Sequence, residues 1–157
     1  MNLSQTSASR LKEVFIDGTF IAYTNYSKIL DDVTWQESEK KIQNLNTIAA
    51  LTFHINYYLE GLNKVFEGGE LTISDKYSFD CEKITSRMEW TARKTHLIEN
   101  AKTFIIHIEN FPPDKLKDDF VKKEYGNYLR NIEGVIEHSY YHLGQISLIK
   151  KMIRNVI

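Results

Sequence analysis

Proline almost never interrupts this chain. The only two stand side by side at Pro112-Pro113, and just 7 of the 157 residues are glycine. Proline breaks a helix by removing a backbone donor and clashing with the preceding turn, and glycine weakens one. A chain so poor in both favours long helices over a many-turned sheet. The length suits one domain, 1–157, around a single core.

Apolar residues recur at helical spacing in four stretches. The first is expected from Ser9 to Leu30, with Leu11, Val14, Phe15, Ile21, Ala22 and Ile29 approximating one face and Gly18 a slight weakness. The second is expected from Thr34, with Glu37 as its capping-box partner, to the glycines Gly68-Gly69. Its stripe is Ile48, Leu51, Ile55, Leu59, Leu62 and Phe66. The third spans Ile84 to Asn110, with Met88, Ile98, Ala101, Ile105 and Ile108 inward, and the proline pair stops it. The fourth begins between Asp114 and Glu124 and runs to the C-terminus. Tyr128, Ile132, Val135, Ser139, Ile146, Ile149 and Ile153 face inward, and Lys150, Lys151 and Arg154 suit its negative pole.

Four such amphipathic helices predict an all-α four-helix bundle. A short link makes the first two antiparallel neighbours. The connection over residues 70–83 is longer. With its flanks, about 16 residues reach about 50 Å when extended, against about 39 Å for a helix of about 26 residues. The second and third helices can therefore run parallel, which permits an up-down-down-up order.

Composition removes several function classes. Lys+Arg total 20 and Asp+Glu 21, a formal net charge of -1, which excludes a globally basic nucleic-acid binder. The run from Lys115 to Glu124 mixes signs and reads as a charged surface. No apolar run is long enough for a membrane span. The first residues lack the pattern of a signal peptide, so the expected location is cytoplasmic. Cys81 is the single cysteine, which excludes an internal disulfide and a thiolate zinc finger. With no basic cluster beside it, it reads as incidental.

The histidines are His54, His96, His107, His138 and His142. His138 and His142 are four apart on the last helix, so their imidazoles stack on one face and can share a divalent ion. They fall at the border of the apolar stripe, and His54 has a similar offset on the second helix. Three nitrogens converging there would leave positions open to water or substrate, as catalytic metals require. The competing reading is three histidines that merely pack at a core border. His96 and His107 fall off the apolar stripe of the third helix and are expected in solvent, with Glu89 and Glu99 on a solvated face. Gln145 lies nearly in line with His138 and either orients a ligand or bridges helices. Tyr58 and Tyr141 either line an opening or pack.

Other chemistries lack their motifs. There is no H-E-x-x-H, P-loop, G-x-G-x-x-G or G-x-S-x-G. Three residues before the histidines stand Leu51, Arg93, Phe104, Val135 and Ser139, so the Glu-x-x-His pair of di-iron bundles is missing.

The segment from Ile136 to Ile146, with His138, His142 and then Gly144-Gln145-Ile146, resembles the fourth-helix signature of the DinB/YfiT-like superfamily of metal-dependent enzymes. The run from Ile48 through His54 to Tyr57-Tyr58 resembles its second helix. Ser78-Phe79-Asp80 and the acidic-proline connection also fit, so the likeness covers most of the chain, with specific motifs on two helices. The resemblance implies an up-down-down-up bundle, often a homodimer, holding zinc or nickel on His54, His138 and His142. It also implies a small-molecule reaction, thiol-dependent transfer with a low-molecular-weight thiol in some relatives, or hydrolysis. The alternative is a non-catalytic dimeric interaction protein with an incidental or structural metal.

Overall fold

The computed structural model describes residues 1–155, which form helices and connections, with no strand among them. Six α-helices follow in order: α1 (Leu3–Lys12), α2 (Tyr26–Asp31), α3 (Trp35–Ser38), α4 (Ile48–Phe66), α5 (Arg87–Glu109) and α6 (Tyr128–Arg154). Each has a side-chain N-cap, from Asn2, Asn25, Thr34, Thr47, Ser86 and Asn127. These caps satisfy amides that the first turn leaves without partners.

The expected first helix is not continuous. α1 begins earlier, at Leu3, and passes into one π turn at Glu13–Asp17. The chain leaves the helix at Gly18, where an added Cβ would lie 2.0 Å from Glu13 Cγ. Asn25 then donates to the Gly18 carbonyl (3.0 Å) while capping α2. Ile21, placed inward by its spacing, is 60% exposed, and Phe20 and Tyr23 project beside it. The expected second helix is also divided. The Thr34–Glu37 capping box forms, but it starts only the four-residue α3; a second cap, Thr47, starts α4.

α4 and α6 carry the stripes their spacing predicts. Ile48, Leu51, Ile55, Leu59 and Leu62 are buried on α4, as are Ile132, Ser139, Ile146, Ile149 and Ile153 on α6. Asn155 adopts a left-handed conformation just beyond α6; the expected run to the C-terminus covers residues 156–157, which lie outside the described residues. α5 is rotated from its expected phase. Met88 is 79% exposed, and Trp90, Leu97, Ala101, Phe104 and Ile108 face the core.

α5 packs along α4 and against α1, and α6 packs against α4 and α1. One apolar cluster collects residues from all of these elements. Residues 70–83 cross α4 at Gly61, where a Cβ would lie 2.3 Å from Ile73 Cγ2. That close approach lets the connection lie over the part of α4 that carries His54, Tyr57 and Tyr58. Tyr57 fastens it: its hydroxyl donates to the Ser74 carbonyl (3.0 Å) and accepts from the Ser74 amide (2.9 Å).

The end of α6 is tied to α2 and α3 by charge. Arg154 donates to Glu37 (2.7 and 3.0 Å) and to Asp32 (2.8 Å), and Lys150 pairs with Asp32. Hydrogen bonds from Arg154 hold the Glu37 carboxyl down at about 2, and those from Lys150 and Arg154 hold Asp32 at about 2. Both folded values lie below the unfolded ones. The stabilisation is therefore complete above the unfolded carboxylate range and is lost as pH falls from there through about 2. Arg154→Ala is expected to cost on the order of 1–2 kcal/mol near neutral pH, discounted for the exposure of Asp32. Urea unfolding should show that difference shrinking in acid; a difference independent of pH would refute the charge-based account.

Candidate metal centre

The structure brings His54 from α4 together with His138 and His142 from α6. One ring nitrogen of each lies within 4.8 Å of the others. His54 Nε2 is 3.1 Å from His138 Nε2, which is 3.0 Å from His142 Nε2. An ion bonded to imidazoles at about 2.0–2.1 Å can reach nitrogens so spaced.

Proton bookkeeping tests whether these residues fit a cation. His54 Nδ1 lies 3.2 Å from the Ser78 carbonyl, which only accepts, so Nδ1 carries the proton and Nε2 is bare. His142 Nδ1 donates to Gln145 Oε1 (2.6 Å), which bares its Nε2 as well. Both lone pairs point at His138 Nε2. That atom holds at most one proton and cannot satisfy both. A cation at the meeting point resolves the conflict, and the outer contacts of His54 and His142 are those that orient metal-binding imidazoles.

The surroundings favour neutral rings. Burial, then His142 and His54, push His138 down to about 4. Burial, then His142, lowers His54 against the opposing pull of the Ser78 carbonyl, and burial lowers His142 against that of Gln145. Neutral imidazole is the metal-binding form.

The ring of Phe79 lies flat on His54 at 4.0 Å between centroids and 10° between planes. Tyr58 sets its edge against His54 and His138 at 5.1 and 5.2 Å, and its hydroxyl donates to Asp75 Oδ1 (2.7 Å). Burial, followed by the hydrogen bond to Asp75, pushes this phenol up to about 12. Tyr141 contacts the His142 ring at 4.9 Å but is 64% exposed. A cleft of about 750 Å³ opens beside the histidines, lined by His138, Tyr58 and Asp75 among others.

The remaining candidates lie apart from this cluster. His96 is exposed, as are Glu89 and Glu99. His107, expected in solvent, is instead half-buried between α4 and α5. It packs on Phe66, 3.5 Å from Glu67, because the turned phase of α5 brings it to that seam. Cys81 is half-buried, and burial pushes its thiol up, away from the reactive thiolate. Sequence reasoning did not find Asp75 or the Ser78 carbonyl as contacts of the site. A backbone carbonyl has no side-chain signature, and Asp75 is one of many acids.

Fold and site together define an all-α chain whose three clustered histidines can hold a metal ion. Comparison with protein-family models, curated proteins and solved structures finds no match to this chain.

Proposed function

We propose that the chain is a divalent-metal-dependent enzyme of the DinB-like class, acting on a small molecule in the cytoplasm. On this reading α1, α4, α5 and α6 are the four members of an up-down-down-up bundle. The observation that carries it is the convergence of three Nε2 atoms, two of them bared by Ser78 and Gln145. Imidazole donors suit zinc and nickel alike.

A bound ion would lower the pKa of a water or thiol, or polarise a carbonyl. The chain's own residues do the rest. Ser78 and Gln145 orient two rings, Phe79 covers His54, and Tyr58 with Asp75 offers a hydrogen-bonded hydroxyl at the cleft. Thiol-dependent transfer and hydrolysis both suit such a site. The alternative is a non-catalytic homodimeric interaction bundle with an incidental metal, favoured by the exposure of Phe20 (87%) and Tyr23 (86%).

The test is a screen of low-molecular-weight thiols with electrophilic substrates, alongside simple esters and amides, on zinc- and nickel-loaded protein. Turnover that needs both the metal and His138 is expected. Its absence across the panel, in protein shown to hold metal, would favour the interaction protein.

A further inference from the structure

The connection over α4 brings one carboxylate to the cleft and fixes it there. Two adjacent tyrosines of α4 grip two adjacent residues of the connection. Tyr57 holds the Ser74 backbone through both its amide and its carbonyl, and Tyr58 donates to Asp75 Oδ1 (2.7 Å). One tight turn follows at Asp75–Tyr77. Ser78 closes it: its hydroxyl donates to the Asp75 carbonyl (2.8 Å), and its own carbonyl accepts from His54 Nδ1 (3.2 Å). The backbone of Asp75 is thereby tied to the His54 ring through one residue, and its side chain is held by Tyr58.

Asp75 is the only Asp or Glu among the described residues lining the cleft. The other lining side chains are poor proton acceptors. His138 turns its Nε2 into the histidine cluster. Arg130 has no lone pair to offer. The remaining polar groups are hydroxyls and one amide, which are weak bases. Asp75 stands outside the cluster of three histidines, yet its charge is near enough to oppose the lowering of both His54 and His138. Tyr58 lies between, edge-on to both rings. Among the described residues only Oδ1 of Asp75 has a hydrogen-bond partner, which leaves Oδ2 for a reactant.

We propose that Asp75 is the proton acceptor of this site and that Tyr58 is its positioning residue. This deepens the metal-dependent reading and rests on it. The reactant carries an acidic O–H or S–H, as water, a hydroxy compound or a thiol. That bond breaks, the proton passes to Asp75 Oδ2, and the electron pair left on oxygen or sulfur forms the new bond to the electrophile. The leaving group departs with the electron pair of its own bond and recovers the proton from Asp75. A carboxylate within reach of that proton, directly or through one water, is what general-base catalysis requires.

A proton count tests this without turnover. Benzohydroxamic acid arrives with its proton and is held by zinc as the anion, so the proton goes either to the protein or to the buffer. Calorimetry on zinc-loaded protein, in two buffers of different protonation enthalpy, reads which. The titration is run at about pH 6, below the range in which zinc ionises water. Wild-type protein should keep the proton. Asp75→Asn, isosteric and still able to accept from Tyr58, should keep its zinc, release about one more proton per bound hydroxamate and bind it on the order of tenfold more weakly. Tyr58→Phe retains the ring against the histidines and loses the hydroxyl. It should keep zinc and move the count toward that of Asp75→Asn, and Asp75→Glu should move it back toward wild type.

Equal proton counts in wild type and Asp75→Asn overturn the proposal and leave the metal centre standing. Loss of zinc from Asp75→Asn makes the residue a ligand and overturns it as well. Wild-type protein that takes up no zinc, or zinc-loaded protein that binds no hydroxamate, overturns the open-sided metal centre and the proposal with it.

Discussion

Alanine at position 142 is expected to strip the protein of its metal. The wild-type chain should carry about one zinc or nickel ion, because three imidazoles form a complete protein set for one open-sided site. His142→Ala removes one ligand and also frees Gln145, which holds that ring through Nδ1. Gln145→Ala alone should weaken affinity by about 10–100-fold, the usual effect of losing an orienting partner, and His142→Ala by more. His96→Ala and His107→Ala should retain the ion, since neither residue belongs to the cluster. Metal analysis reads this directly. Thermal unfolding gives a second readout, because an ion at about 100 times its Kd stabilises the fold by about 2.7 kcal/mol. That increment should appear in wild type and vanish in His142→Ala. An unchanged ion content in the variant would refute the assignment.

Trp90→Ala should cause the largest loss of stability. Trp90 is 2% exposed, and its indole nitrogen donates to the Val33 carbonyl at 2.7 Å. It thereby joins α5 to the irregular segment between α2 and α3, where little repeating backbone structure holds the chain. Removing a buried tryptophan costs about 3–5 kcal/mol through lost burial and the cavity left behind. Trp90→Phe keeps much of the ring and loses the hydrogen bond, so about 1–2 kcal/mol is expected beyond the smaller volume. None of the three clustered histidines lies on α5, so folded variant protein should still bind metal. A cost below about 1 kcal/mol for the alanine variant would mean that the site collapses around the gap.

The parts legible in the sequence were those where one physical signal dominated. The stripes of α4 and α6 keep a helical period over many turns, and no glycine or proline contradicts the phase of their buried residues. The region before α4 was misread because two signals competed. Ile21, Ala22 and Ile29 happen to continue the period of Leu11 and Val14, whereas Gly18 and the cap at Asn25 end one helix and begin another. Thr34–Glu37 is a genuine capping box, but a cap does not determine helix length, and Thr47 restarts the chain. On α5 the isoleucines Ile98 and Ile105 suggested one phase, while Trp90, Leu97 and Phe104 occupy the core. The same rotation explains His107. At the candidate metal centre, the three histidines and the spacing of His138 and His142 are sequence properties; the carbonyl that orients His54 comes from a tertiary contact 24 residues away.

The strap over α4 has an evolutionary consequence. It sets the orientation of His54 through a backbone carbonyl, covers that ring with Phe79, and brings Asp75 to the cleft, while contributing no histidine to the cluster. On the proposed metal-dependent reading, substitutions between Ile73 and Phe79 would retune ion preference and reactant choice while the three histidines stay constant. A lineage could diversify its chemistry there with the helical scaffold held still, and a designer could regraft that short stretch to the same end.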